Sequence, residues 1–208
     1  MTERLYQRDM TLGRFPARLI ECRWSAVVLD RTAFFPGSVG VPGDTGKLAV
    51  AGREIPVVET TEQAGTILHR VEGMPPDQGS EVEGRLDGSR RHRLMPYHTA
   101  MHQLTGVMFQ HFGVRVTGNQ ITPEKARVGF AFAVFDGAIM EDGLRRANDL
   151  IAQILPVRIS FVPIAESKAR PEWFKLETEF PPSSCLGRQK LNGEKRTRFP
   201  VYRNPVRK

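Results

Sequence analysis

Cysteine is scarce in this chain. The 208 residues hold two, Cys22 and Cys185, far apart and in unlike surroundings. That excludes the disulfide framework that staples small secreted domains. Long apolar runs are missing too: Ala26 to Leu29 and Gly129 to Phe135 are bounded by charge, far short of the roughly 18–20 residues of a membrane span. The opening Met1-Thr-Glu-Arg-Leu-Tyr-Gln-Arg has no apolar stretch behind its charges and does not read as a secretory leader. No internal repeat or low-complexity tract occurs. Together these absences lead us to expect a soluble protein of the cytoplasm. With 40% hydrophobic and 25% charged residues, the composition is that of a folded chain of one large or two small domains.

Positive charge is present in excess, 30 Lys+Arg against 23 Asp+Glu, net +7. The excess is local. From Cys185 onward stand Arg188, Lys190, Lys195, Arg196, Arg198, Arg203, Arg207 and Lys208 against one acid, Glu194, so the whole net charge lies there. A second cluster is Arg90-Arg91-His92-Arg93. Such clusters are either solvated surface or a seat for polyphosphate, and charge alone does not separate the two.

Residues 18–29 and 46–59 are β-branched and apolar segments broken by glycine and proline, and with 66–71 and 81–86 they predict short strands; the glycines and prolines between 35 and 46 form a loop. Residues 1–88 therefore read as a small antiparallel β-barrel domain. Cys22, in one of these strands, reads as a small core residue. Beyond residue 88 the texture is α+β. Pro96 reads as lying near a helix start and Gly113 near its end, with Tyr97, Met101, Leu104 and Met108 as the apolar stripe. Residues 127–135, 157–164 and 173–180 read as strands, and 139–155 as a helix packed through Leu144, Ala147, Ile151 and Ile154. The expected second domain, 89–208, thus packs helices on an antiparallel sheet and ends in the basic segment.

His98 and His102 stand four apart on the first of these helices, which places both imidazoles on one face. Two histidines so spaced either share a metal ion or are ordinary hydrogen-bonded helix residues. A peptidase of the His-Glu-x-x-His type is not expected, because Thr99 follows the first histidine. A nucleobase deaminase is excluded because the Pro-Cys-x-x-Cys pair is missing.

The segment His98-Thr-Ala-Met-His102 resembles the His-x-x-x-His motif of the alanyl-tRNA editing domains, found within alanyl-tRNA synthetase and as free-standing proteins. Upstream, Leu29-Asp-Arg-Thr-Ala-Phe-Phe-Pro followed by Gly43-Asp-Thr-Gly46 is similar to the same family's Leu-Asp-x-Thr-x-Phe-Tyr-Pro and Gly-Asp-Thr-Gly loop. The resemblance covers roughly residues 15–190. It implies a β-barrel followed by an α+β editing domain, and hydrolysis of mischarged aminoacyl-tRNA by a zinc site. The implied ligands are His98, His102 and Cys185, which leave a coordination position for the reacting water. The family's second metal motif, Cys-Gly-Gly-Thr-His, is similar to Cys185-Leu-Gly-Arg-Gln189, so Gln189, a weak amide ligand at most, stands where the family has histidine. The resemblance also implies substrate contacts from Thr32, Phe34, Gly40, Val41 and Asp44. It implies tRNA contacts from Arg90, Arg91, Arg93, Arg188, Lys190, Lys195 and Arg196.

Ser38-Val-Gly-Val41 replaces the family's Gly-Gly-Gly-Gln. With Thr32 retained, this leads us to expect a more apolar pocket for a hydroxy amino acid: serine, threonine, or a halogenated threonine such as fluorothreonine. Alternatively the two valines pack the loop. No membrane and no obligate protein partner is expected. Two other functions stay open, a tRNA-binding module without catalysis and a zinc hydrolase of a small-molecule ester. A synthetase fragment is less expected, since the chain opens on Met1 with no aminoacylation domain.

Overall fold

The computed structural model describes residues 2–38, 40–155, 158–163, 187–191 and 194–203. Two compact units are present, Met1–Leu94 and Met95–Lys208.

The first unit carries β1 (Glu3–Arg4), β2 (Arg14–Arg23), β3 (Ala26–Leu29), β4 (Arg31–Thr32), β5 (Gly46–Val50), β6 (Arg53–Gln63), β7 (Thr66–Val71) and β8 (Glu81–Leu86). Six of them close into an antiparallel barrel in the order β2-β3-β7-β6-β5-β8, sealed by β2 against β8 from Arg14↔Arg85 to Arg18↔Glu81. Alternation drives the closure: along β2 Phe15, Ala17 and Leu19 point inward while Arg14, Pro16 and Arg18 point out. The core gathers Phe15, Leu19, Leu29, Phe34, Leu48 and Val57. Gly84 leaves room for the Phe15 ring, since a Cβ there would stand 2.3 Å from it. Two hairpins turn on Ala51-Gly52 and Ala64-Gly65, all four residues at positive φ, which is the two-residue turn that matches strand twist. The expected barrel is thus present. Cys22, expected in the core, is exposed: a register shift between Leu19 and Glu21 ends the clean alternation of β2 before that residue.

Helix α1 (Gly88–Phe112) begins in the first unit and continues into the second. It starts well before Pro96, which lies inside it. The start belongs to Asp87, whose Oδ1 accepts from Arg90 N (2.9 Å) and whose carbonyl accepts from Arg91 N (3.1 Å). Pro96 removes one internal bond without ending the helix. Gly113 at φ +66 does close it, as its position in the sequence suggested.

The second unit continues with β9 (Val116–Ile121), β10 (Ala126–Phe130), α2 (Gly137–Ala152), β11 (Arg158–Pro163), β12 (Gly187–Leu191) and β13 (Glu194–Arg203). β9 and β10 form an antiparallel pair, and β11-β13-β12 a three-stranded antiparallel sheet. The architecture is α+β, as expected. Strand β10 ends at Phe130, not 135, after a register shift at Gly129/Phe130. Helix α2 ends at Ala152, not 155, so Ile154 of the expected stripe lies beyond it at φ +49; Leu144 and Ile151 within it are exposed, and only Ala147 is buried. The close approach is made by small residues, since a Cβ on Gly143 would stand 2.3 Å from the sulfur of Met108 in α1. The expected strand 173–180 lies outside the described residues. No helix among the described residues is long and apolar enough to cross a membrane.

Candidate functional site

In the first unit the chain from Thr32 to Gly46 forms a loop fastened at both ends by buried polar groups. Thr32 and His69 are fully enclosed. The Thr32 hydroxyl lies 2.8 Å from His69 Nε2 and accepts the Phe34 N–H (3.1 Å), while His69 Nδ1 lies 3.1 Å from the Val27 carbonyl. A carbonyl only accepts, so Nδ1 carries the hydrogen. Burial pushes the His69 imidazole down to about 4, against a smaller upward pull from Val27. The ring is therefore neutral at pH 7, Nε2 is a bare acceptor, and the Thr32 hydroxyl donates to it. The Phe34 ring packs edge-on against both Phe15 and His69 in the barrel core.

The far end is held by Thr60, which faces His69 across β6 and β7. Its hydroxyl donates to the Asp44 carbonyl (2.9 Å), and its own carbonyl accepts from Gly37 N (2.9 Å). Gly43 packs so closely on this strand that a Cβ would stand 2.0 Å from the Thr60 oxygen. Asp44 is buried, accepts from Phe35 N (2.7 Å) and pairs with the Arg91 guanidinium. Ser38 and Val41 exchange two backbone bonds, and Val41 is buried. The amides of Phe34, Phe35, Gly37, Ser38, Val41 and Asp44 are thus spent within the protein. The loop is a self-bonded frame: Thr32, Phe34 and Asp44 stand behind its surface, and Val41 packs into it.

The arginine cluster divides. Arg91 also donates to the carbonyls of Ala33 (2.5 Å), Met10 (3.0 Å) and Leu12 (3.5 Å), so its donors are committed to holding this frame. Arg90 reaches the Gly43 carbonyl (3.4 Å), and its enclosed Nε has no hydrogen-bond partner among the described residues. Arg93 is exposed.

In the second unit α1 places His98 and His102 as the spacing requires. Their Nε2 atoms converge to 3.1 Å, with ring centroids 4.7 Å apart. Burial holds His98 below the ordinary imidazole value, which keeps it neutral and able to ligate. A tetrahedral zinc ion with Zn–N of about 2.05 Å separates two ligand nitrogens by about 3.3 Å, so the pair fits one ion. Among the described residues no group of three or more His, Cys, Asp or Glu gathers about a common point. Cys185 lies outside the described residues.

No protein-family model matches the chain. Against curated proteins, it is 34% identical over 195 residues to the alanyl-tRNA editing protein AlaX-M of Saccharolobus solfataricus, covering 90% of this chain and 80% of that protein. The AlaX-M protein of Methanosarcina barkeri is 37% identical over 177 residues, covering 82% and 73%. This chain belongs to the alanyl-tRNA editing protein family. Its homology extends to the alanine–tRNA ligase of Pyrococcus abyssi, 32% identical over 173 residues, which are 81% of this chain and 19% of the ligase.

Of the second metal motif, the described residue Gln189 falls in the C-terminal sheet, with three of the basic residues beside it. Gln189 lies on β12 opposite Arg196 of β13, Arg188 opposite Thr197, and Lys190 opposite Lys195. Residues 187–191 and 194–203 of the basic segment thus have regular backbone pairing. Sequence reading passed over His69, although its alternation with Ile67 and Val71 placed it on the inward face of β7. It also passed over the Arg91–Asp44 pair, which joins residues 47 apart and leaves no local signal.

Proposed function

We propose that this protein hydrolyses the ester of a mischarged aminoacyl-tRNA, taking a hydroxy amino acid, serine first, from alanine tRNA. Membership of the alanyl-tRNA editing family supports this reading, and the convergence of His98 and His102 carries it. His98, His102 and Cys185 would hold zinc, with Gln189 in the place of the family's second-motif histidine. Bound zinc supplies Lewis-acid polarisation and acidifies a water at neutral pH. His98, neutral through its burial, offers Nε2 without first losing a proton. Thr32, Phe34 and Asp44 set the shape of the loop that meets the amino acid, and Gly40 and Val41 form its turn. Arg90, Arg93 and, on the C-terminal strands, Arg188, Lys190, Lys195 and Arg196 would hold tRNA phosphates. Arg91 acts on the loop. The place of action is the cytoplasm, where charged tRNA is used.

Val41 is buried, so its branched side chain packs the loop, and nothing among the described residues favours threonine or fluorothreonine over serine. Single-turnover deacylation of Ser-, Gly-, Ala-, Thr- and fluorothreonyl-tRNA tests the reading. The expected result is preferential release of serine, reduced at least about 100-fold in His98→Ala. Release of none, with tRNA still bound, would make the protein a binding module; hydrolysis of small esters alone would make it another kind of hydrolase.

A further inference from the structure

We propose that His69 is a positioning residue for the amino-acid loop, acting through the Thr32 hydroxyl on the backbone of Phe34. The inference rests on the reading that residues 32–46 meet the amino acid. His69 is on β7, fully enclosed, and has no place in the reaction itself. Its Nδ1–H is fixed on Val27 at 3.1 Å, so Nε2 presents only a lone pair to Thr32 at 2.8 Å. That takes the one hydrogen of the hydroxyl and fixes its rotor, leaving Oγ as an acceptor aimed at the Phe34 N–H at 3.1 Å. Thr32 has no exposed surface, and its bond from Phe34 N ties it to the start of the loop. Thr60, opposite His69 in register, does the same for the loop's exit through the Asp44 carbonyl. Two facing barrel positions thus hold the two ends of one loop. A buried polar chain of this kind specifies a conformation as well as stabilising it.

Two variants separate positioning from stability. In His69→Gln the new amide reaches as far as Nε2 did and keeps an acceptor for Thr32, while giving up the bond to Val27. In His69→Asn the shorter amide stands where Nδ1 was, keeping Val27 and giving up Thr32. Each breaks one of two bonds, so their melting temperatures should be similar, yet kcat/KM for seryl-tRNA should fall about tenfold further in His69→Asn. Thr32→Val should resemble His69→Asn, and the double variant should be no worse than either, because both break one chain. Hydrogen exchange at the Phe34 amide gives a readout without activity: it should quicken in His69→Asn and Thr32→Val and stay slow in His69→Gln. Activity that follows melting temperature across the set, with multiplying losses in the double variant, would overturn the inference. So would a Phe34 amide indifferent to which bond is broken. Should the wild type deacylate no charged tRNA, the functional reading fails, and the Phe34 amide still decides the role of His69.

Discussion

A neutral imidazole sealed in a barrel has a consequence for acid stability. The folded His69 value, about 4, lies below the ordinary 6.5, so the unfolded chain takes up a proton that the folded one refuses. The stabilising difference is full above about pH 6.5 and is lost as pH falls through the folded value near 4, a total of about 3 kcal/mol. Urea unfolding from pH 4 to 7 should show that slope in the wild type and lack it in His69→Gln; equal slopes would contradict the burial argument. Arg91 has a different kind of leverage. Its side chain and that of Asp44 are 12% and 7% exposed, and Arg91→Met would leave a buried carboxylate without its cation. That change should cost about 3–5 kcal/mol in unfolding free energy; a loss under about 1 kcal/mol, the range of an exposed pair, would show that the pair is not a structural clamp.

At the scale of elements, close approach explains both the loop and the helix pair. Gly43→Ala would press a Cβ into the Thr60 carbonyl, and we expect the protein to be recovered unfolded or with its melting temperature strongly lowered. For α2, the Asp136 carboxylate accepts from Ala138 N (2.8 Å) and Ile139 N (3.4 Å), so Asp136→Ala should cost about 1 kcal/mol. These elements also show what the sequence discloses. β7 and β8 were readable to the residue because each is a short segment carrying β-branched or apolar residues between turn residues. Asp87 outranked Pro96 at the start of α1 because a cap supplies hydrogen bonds, whereas proline within the helix removes only one. The stripe through Leu144 and Ile151 misled because helices meet where small residues permit it, and Gly143 lies about 100° around the helix from Leu144. The spacing of the two histidines put them on one helix face, while their reading as metal ligands came from the family resemblance. His69, Thr60 and Arg91 were not, since their partners are distant in sequence and a buried hydrogen bond has no period.

For the whole molecule, a net charge of +7 concentrated in the last segment and membership of a tRNA-editing family make one expectation together. Binding of tRNA should weaken steeply with salt. Replacing Arg90 and Arg93 by Gln should make the log–log salt slope shallower by about 1 for each phosphate no longer neutralised. An unchanged slope would remove them from the interface. Arg91 is left out of that pair because its donors are used within the protein. The proposed deacylase requires that His98 and His102 hold a catalytic zinc ion. The most direct test is zinc content and seryl-tRNA hydrolysis measured on the same preparations of wild type, His98→Ala and His102→Ala. Hydrolysis that falls in step with bound zinc, and is lost in both variants, is the result expected. Zinc-free His98→Ala protein that still releases serine at the wild-type rate would contradict it.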